Sequence, residues 1–315
     1  MEHTFGRRCH LASIDIKDAY LHVPIFGPYQ RFLRFAVEGS HFQFVALPFG
    51  LATAPKVFTK VLAPVLASLR SQGVSKIGYM DDLLLRECSR PTLVLNVSST
   101  VRVLQRLGWV LNLDKSALCP TQALVYLGLI LDTAQERVFL PPFKFASIVE
   151  LVQKVKKEPT PSVRLCIRLL GKMVSSFSAV PYAQFHSRVF QNNILKAWDK
   201  SARTLDQPMV LSPRVLWNLS WWLRTSNLKR GKSFPPVAWR VVTTDASLLG
   251  WGAVLEEASV QGVWSQTEKT LPINLLEIRA ARLALRFWTS RLQGLPVRVP
   301  VRQLHSSGIY QPRGR

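Results

Sequence analysis

The chain has 315 residues, of which 48% are hydrophobic, and its 41 Lys and Arg against 19 Asp and Glu give a net charge of +22. This length allows two or three domains with packed cores, and the charge indicates a polyanionic partner such as a nucleic acid, with a basic surface that binds no ligand as the alternative. The sequence has no apolar run of about 18 residues and no apolar signal region, so we expect no membrane span and an intracellular protein, in the cytoplasm, the nucleus or both. The four cysteines lack CxxC spacing and are expected as thiols.

The first half of the chain alternates strand-like and helix-like patterns after an irregular leader at residues 1–10. Apolar and polar positions alternate as in strands, and apolar residues three and four apart are typical of helices. The phenylalanines of the second strand-like stretch are expected in the core rather than as stacking platforms, and these are Phe32, Phe35, Phe42 and Phe44. The predicted strands cover 11–25, 30–46, 76–85, 109–113 and 124–132, and the predicted helices cover 52–71 and 91–108.

The second half begins with a lysine-rich helix between two proline pairs, Pro141-Pro142 and Pro159 with Pro161. Residues 162–222 have a helical pattern, and their tryptophans are expected in the core. Glycine, proline and charge predict a linker at 225–237. A second unit follows, with a strand, turn and strand over 241–254 and a helix for which Asn274 is the predicted N-cap.

The tetrapeptide Tyr79-Met80-Asp81-Asp82 lies in an apolar hairpin, directly before Leu83 to Leu85. Adjacent carboxylates in such surroundings disfavour each other's ionisation, and a bound cation removes that cost. Hard oxygen ligands suit Mg²⁺. Asp15, in the first strand-like stretch, supplies a third carboxylate, and three carboxylates can hold the two metal ions used for phosphoryl transfer. The alternative for the Asp pair is a solvated turn.

Four short blocks of sequence are relevant to the fold and function of the chain. They are Ser13 to Pro24, Leu47 to Pro55 with Phe58 after it, Tyr79 to Asp82, and Leu111 to Ser116 followed by Tyr126 to Leu129. Together they resemble the motifs of retroelement reverse transcriptases, most of all those of gypsy-like and DIRS-type retrotransposons. The resemblance covers about residues 11–299.

The resemblance implies an α+β fold. We expect a polymerase palm, an antiparallel sheet with helices, that lacks the fingers subdomain, then a helical thumb and connection, and finally an incomplete ribonuclease H-like α/β domain. The expected boundaries are 11–140 for the palm, 141–224 for the thumb and connection, 225–237 for the linker and 238–299 for the ribonuclease H-like part.

The resemblance also implies roles for single residues. Asp15, Asp81 and Asp82 would hold two Mg²⁺ ions, and Lys115 matches the lysine that protonates pyrophosphate, with a solvated surface lysine as its alternative. Tyr20 matches the gate that excludes a ribose 2′-hydroxyl, with a packing tyrosine as its alternative. Phe49 replaces a glutamine of some retroviral enzymes, and Gly50 would let the backbone approach the base pair. The expected substrate-binding residues are Tyr20, Phe49, Gly50, Tyr79 and Met80.

In the second unit, Asp245 matches the first-strand carboxylate of ribonuclease H and Glu277 its helix carboxylate. A capping-box partner at N3 is the alternative for Glu277. Residues 300–315 lack the expected third carboxylate. Synonymous codons for them can be chosen so that the frame one nucleotide later encodes an Asp-Asn pair, and we therefore predict a frameshifted tail.

The leading hypothesis is a retrotransposon RNA-directed DNA polymerase, in a truncated copy, that takes an RNA or DNA template with a primer and deoxynucleoside triphosphates. The alternative is a catalytically inactive remnant that binds nucleic acid through its charge alone.

Overall fold

A computed structural model describes residues 8–199, 201, 204–234 and 238–300. The chain divides into two compact units, one ending at Phe234 and the other containing the described residues from 238 onward. Within the described ranges, no helix combines the length and the apolar character needed to cross a bilayer.

The first unit contains ten strands and eight α-helices among its described residues. The strands are β1 (His10–Asp15), β2 (Arg34–Val37), β3 (Ser40–Gln43), β4 (Lys76–Tyr79), β5 (Asp82–Glu87), β6 (Ala117–Thr121), β7 (Ala123–Tyr126), β8 (Leu129–Asp132), β9 (Arg137–Phe139) and β10 (Lys232–Ser233). The helices are α1 (Gly27–Gln30), α2 (Ala54–Ser71), α3 (Arg90–Arg106), α4 (Pro142–Lys157), α5 (Val163–Val174), α6 (Ala183–Ala197), α7 (Pro213–Trp221) and α8 (Thr225–Lys229).

Strands β4, β5, β1 and β6 form an antiparallel sheet in that order. Helices α2 and α3 bury their apolar stripes against it. On α2 the buried residues recur three and four residues apart, and they include Phe58, Leu62, Leu66 and Leu69. Ser89 caps α3 by accepting a hydrogen bond from the Thr92 N–H at 3.4 Å. Residues 10–121 therefore contain the mixed α+β arrangement of sheet and helices that the sequence predicted.

A second antiparallel sheet has the order β10-β9-β8-β7, and its Leu129 and Val138 pack against the core of a helical bundle. Helices α4 to α7 enclose a core in which Phe190, Leu219 and Trp222 are fully buried. The bounds of α4 match the proline pairs that bracket it in the sequence. The tryptophan prediction is correct for Trp222 and wrong for Trp217, which is 69% exposed because it lies on the outer face of α7.

The phenylalanines predicted in the core of residues 30–46 lie mainly at the surface. Phe32, Phe35 and Phe42 are 67%, 39% and 49% exposed. The reason is that β2 and β3 pair only with each other in the described chain, so no second layer covers the hairpin. The rings contact one another instead, with centroids 5.6 Å apart for Phe35 and Phe42 and 4.7 Å apart for Phe35 and Phe44.

Three predicted segments need correction. The leader ends before Cys9, which is buried, and β1 begins at His10, whereas residues 1–7 lie outside the described residues. Residues 109–113 form a single bridge, between Leu111 and Ile16, instead of a strand. The predicted linker contains α8 and β10, and β10 pairs with β9, so residues 225–234 belong to the first unit; residues 235–237 are not described.

The second unit has a four-stranded sheet in the order β13-β12-β11-β14, from β11 (Arg240–Ala246), β12 (Gly250–Leu255), β13 (Ala258–Val263) and β14 (Val297–Arg298). Helices α9 (Ile273–Phe287) and α10 (Thr289–Leu292) follow β13. Strand β14 runs parallel to β11, and the other pairs are antiparallel. Val242, Ala284 and Trp288 are buried together between sheet and helix. The predicted frameshifted tail, residues 300–315, lies outside the described residues except for Pro300.

The N-cap of α9 is Pro272, not Asn274. Pro272 has the extended backbone of a cap residue (φ −59°, ψ 146°), and the helix begins directly after it. Asn274 therefore lies in the first turn. Glu277 falls beyond the N3 position, which excludes the capping-box alternative for this residue.

Replacement of Trp222 by alanine should lower the free energy of unfolding by about 3–5 kcal/mol, because it leaves a cavity in the helical core. Trp217→Ala on helix α7, which Trp222 directly follows, is the matched control, and we expect a change of about 0.5 kcal/mol or less there. Urea denaturation followed by circular dichroism measures both. Equal losses in the two variants would contradict this description of the core.

Candidate active site

The Asp81–Asp82 pair lies at the tip of the β4–β5 hairpin. Tyr79 pairs with Asp82, so Met80 and Asp81 form a two-residue loop. Met80 has a φ of 53°, a left-handed conformation that costs on the order of 1 kcal/mol for a residue with a side chain. The short loop fits the hairpin twist and presents both carboxylates at one end of the sheet.

Asp15 lies directly opposite Asp82 on the neighbouring strand β1. The Ile16 N–H donates to the Asp81 carbonyl at 3.1 Å, which identifies Ile16–Asp81 as a hydrogen-bonded pair. Pairs alternate in an antiparallel ladder, so Asp15 and Asp82 form the following non-hydrogen-bonded pair, in which side chains approach most closely. The structure thus brings together the three carboxylates that the sequence predicted.

The carboxyl groups disturb each other's ionisation. Burial, followed by the charges of Asp81 and Asp15, raises the pKa of Asp82 from 3.8 to about 6. Burial and Asp81 also raise the pKa of Asp15, against the opposing charge of Lys115. A hydrogen bond between Asp15 and Asp82 favours ionised Asp15 and protonated Asp82. Below about pH 6 the two groups therefore share a proton when no cation is bound.

Asn112 and Ser116, to which the sequence assigned no role, hold Asp15 in position. The Asp15 N–H donates to Ser116 Oγ at 3.0 Å, and the Asn112 N–H donates to the Asp15 carbonyl at 2.9 Å. The Asn112 side chain also bonds to the Asp15 carboxylate and lowers its pKa. Lys115, between them, is exposed, and its charge reaches both Asp15 and Asp82.

Tyr126 is a second residue that sequence reasoning missed. Its hydroxyl donates to the Asp82 carbonyl at 3.2 Å. Burial and the nearby Asp82 raise the pKa of Tyr126 to about 12, so it stays a donor. Its only signal in the sequence was its place at the start of the block 126–129.

Tyr20 lies beside the hairpin tip, where its hydroxyl donates to Met80 Sδ at 3.7 Å. Its ring packs edge-on against Phe58 and lies 5.0 Å from the Phe49 ring. Phe49 is 62% exposed and Gly50 has a φ of 91°, a conformation that favours glycine. Tyr20, Phe49 and Met80 therefore form one continuous surface next to the carboxylates.

The donor set suits an oxygen-binding divalent cation. Three carboxylates meet with unfavourable charge, which Lys115 opposes, and such a cation would remove this repulsion. The described residues contain no group of three or more His, Cys, Asp or Glu side chains already arranged as ligands.

Asp245 and Glu277 both lie in the second unit, on β11 and α9 respectively. Asp245 is exposed on β11, beside an open cleft of about 700 Å³ that Gly252 and Gln261 also line. Glu277 is half-buried on α9. Within the described part of the chain, neither carboxylate has a hydrogen bond or an ion pair.

Comparison with known proteins agrees with the motifs. Residues 3–131 match the family model described as "Reverse transcriptase (RNA-dependent DNA polymerase)". The chain is 29% identical over 187 residues to the Gag-Pol polyprotein of Walleye dermal sarcoma virus, an alignment that covers 58% of this chain. It is 23% identical over 327 residues to the enzymatic polyprotein of Figwort mosaic virus (strain DxS), covering 95% of this chain.

Among solved structures, the chain is similar to a foamy viral protease-reverse transcriptase in complex with an RNA/DNA hybrid, with a TM-score of 0.63 and 18% identity over 95% of this chain. A second foamy viral structure, in complex with dsDNA, gives a TM-score of 0.64 and 17% identity. These likenesses show the fold. The chain spans 10% of the walleye virus polyprotein, 43% of the figwort virus polyprotein, and 39% and 60% of the two foamy viral chains.

The raised pKa of Asp82 predicts a pH-dependent stability. Its folded pKa of about 6 lies above its ordinary value of 3.8, so the folded chain binds this proton more tightly than the unfolded chain. Its contribution to stability is fully present below about pH 4 and is lost as the pH rises through about 6. In EDTA, the unfolding free energy of the wild type relative to Asp82→Asn should therefore fall between these pH values.

Addition of Mg²⁺ or Mn²⁺ should restore the stability of the wild type above about pH 6, and much less below it, because the cation competes with the proton. Urea denaturation at a series of pH values measures both effects. A difference between wild type and Asp82→Asn that does not change with pH would contradict the assignment.

Proposed function

We propose that this chain, whose residues 3–131 match the reverse transcriptase family model, is the polymerase part of a retrotransposon polyprotein and catalyses RNA-directed DNA synthesis. The observation that carries the proposal is the convergence of Asp15, Asp81 and Asp82 at one end of the β1–β5 ladder. The block order and the conformation of the Met80 loop support it. A gypsy-like or DIRS-type origin rests on the motifs alone.

Asp15, Asp81 and Asp82 are proposed to hold two Mg²⁺ ions, in the state in which Asp15 and Asp82 have lost their shared proton. When bound, the ions lower the pKa of the primer 3′-hydroxyl and neutralise the triphosphate. Ser116, Asn112 and Tyr126 fix the backbone of the carboxylates, so that the ligands need little reorganisation.

Lys115 is proposed to act on the leaving pyrophosphate. Its ammonium group is exposed, and its charge acts on both Asp15 and Asp82, so it lies within electrostatic range of any phosphate bound there. A lysine in this position can stabilise the leaving group by its charge and can also donate a proton to it.

Tyr20 is proposed as the gate that selects deoxynucleotides. Its contacts with Met80 and Phe58 hold the ring against the hairpin tip, which favours the gate over a purely packing role because the ring borders the carboxylates. Phe49 and Gly50 would support the template base opposite, and Tyr79, 49% exposed, would contact the primer end.

The proposed partners are an RNA or DNA template with its primer, and deoxynucleoside triphosphates. The charge of +22 supports a polyanionic partner, and foamy viral relatives of the same fold have been solved with an RNA/DNA hybrid and with dsDNA. For the second unit we propose an incomplete ribonuclease H-like domain.

A primer-extension assay with Mg²⁺ tests the proposal. Wild-type chain should extend a DNA primer on an RNA template, and Asp81→Asn should reduce the rate by at least about a hundredfold, because it removes a carboxylate of a two-metal site. Glu150→Gln makes the same change of charge at an exposed position of α4 and should leave the rate unchanged.

Salt-sensitive binding of template and primer without extension, unaffected by Asp81→Asn, would contradict the polymerase. That result would support the alternative, a chain that binds nucleic acid through its charge alone.

The gate predicts a change in sugar selectivity. Tyr20→Ala should raise ribonucleotide incorporation relative to deoxynucleotide incorporation by about tenfold or more, equivalent to ~1.4 kcal/mol of lost discrimination. Tyr20→Phe keeps the ring, loses the hydroxyl that bonds to Met80, and should retain selectivity. Single-nucleotide kcat/KM values for both sugars measure this. Unchanged selectivity in Tyr20→Ala would leave Tyr20 as a packing residue.

A further inference from the structure

Two of the four cysteines lie next to each other at the end of the β1–β5 ladder that is remote from the carboxylates. Cys9 Sγ and Cys88 Sγ are 3.2 Å apart. Cys9 precedes β1 and is buried, and Cys88 follows β5 and is exposed. This contact joins residues 79 positions apart in the chain, so it depends on the fold and not on local sequence.

The register of the ladder explains the contact. His10 pairs with Glu87, and continuing the same register by one residue sets Cys9 opposite Cys88. Ile16–Asp81 is a hydrogen-bonded pair, and the two kinds of pair alternate along the ladder. His10–Glu87 is therefore also a hydrogen-bonded pair, and Cys9–Cys88, the next pair, is a non-hydrogen-bonded one. In such pairs the Cα atoms lie about 4.5 Å apart, within the range that a disulfide requires.

Neighbouring contacts hold the backbone in place at both cysteines. The Thr133 hydroxyl donates to the Cys9 carbonyl, and the Arg8 N–H donates to the Thr133 carbonyl at 3.3 Å. On the other side, Ser89 directly after Cys88 caps α3. The two sulfur atoms can therefore be joined with little movement of the main chain.

We propose that Cys9 and Cys88 form a reversible redox modification site whose co-reactant is a small-molecule disulfide such as oxidised glutathione. The proposal does not depend on the polymerase assignment, because it uses neither the carboxylates nor a nucleic acid.

The difference in exposure sets the order of the steps. The exposed Cys88 thiol loses its proton, and its thiolate attacks one sulfur of oxidised glutathione, forming a mixed disulfide and releasing one glutathione thiolate. Cys9 then loses its proton and attacks the Cys88 sulfur, forming the Cys9–Cys88 bond and releasing the second glutathione. Two protein thiols are oxidised, and one glutathione disulfide is reduced to two thiols.

The other two cysteines provide the contrast. Cys119 is exposed without a second cysteine beside it in the described chain. Cys166 is buried in the helical core, and burial raises its thiol pKa to about 12, which suppresses the reactive thiolate.

Treatment of the full chain with oxidised glutathione, followed by thiol counting, intact mass and peptide mapping, tests the proposal. We expect the loss of the Cys9 and Cys88 thiols, a mass lower by two hydrogen atoms apart from any glutathione added at Cys119, and a Cys9–Cys88 peptide. The bridge closes a loop of about eighty residues and should raise the melting temperature by on the order of 5–10 °C, reversed by dithiothreitol.

Three variants separate this site from other thiol chemistry. Cys88→Ser should form no internal bridge and show no rise in melting temperature, and Cys9→Ser should keep glutathione attached to Cys88. Cys119→Ser, the matched control at an exposed cysteine, should form the bridge as the wild type does. Because Cys88 is exposed, Cys88→Ser should fold even if the buried Cys9→Ser does not. Retention of all four thiols, a bridge through Cys119 or Cys166, or a wild type that stops at the mixed disulfide would overturn the proposal.

Discussion

The antiparallel register between β1 and β5 is the constraint on which the functional features of the first unit depend. It sets Asp15 opposite Asp82. A slip of one residue would move Asp15 to the other face of the sheet. The register is well specified because both faces are buried: Ile14, Leu83 and Leu85 pack under α2 and α3, and Leu11 and Leu84 pack against the second sheet with Tyr126. A strand pair buried on both sides cannot slip without exposing one of its two apolar sets.

The carboxylates at the end of this ladder lie where their ionised forms are unfavourable. Burial and mutual repulsion raise the pKa values of Asp15 and Asp82. Met80, in the loop of the β4–β5 hairpin, adopts a left-handed backbone. Such local conflicts persist where the surrounding structure holds them in place and function requires them. Here hydrogen bonds with Asn112, Ser116 and Tyr126 provide that support. They involve mainly the backbone of the aspartates, which leaves the carboxylate oxygens for a ligand.

Sequence patterns predicted those parts of the fold whose signals are local. The two-residue hairpin between apolar strands was visible around Asp81, and proline pairs marked α4. The exposed Phe32 and Phe35 were not predictable, because burial of an aromatic ring depends on a second layer that the hairpin itself does not encode. The Ser116–Asp15 hydrogen bond joins positions 101 residues apart, so no local pattern reveals it. Asn274 resembled an N-cap, but the extended Pro272 begins the helix earlier.

The same alternation of hydrogen-bonded and non-hydrogen-bonded pairs produces two different chemistries at the two ends of one ladder. Asp15–Asp82 and Cys9–Cys88 are both non-hydrogen-bonded pairs, six residues apart, which corresponds to ~20 Å along the strands. Between them lie side chains that are almost fully buried, among them Leu11, Ile14 and Leu85. Because this middle section already fixes the spacing of the strands, a covalent bond at the cysteine end would restrain fraying there without changing the distance between the carboxylates. Oxidation at one end is therefore compatible with metal binding at the other, and the effect of the bridge would be on the lifetime of the folded site rather than on its geometry.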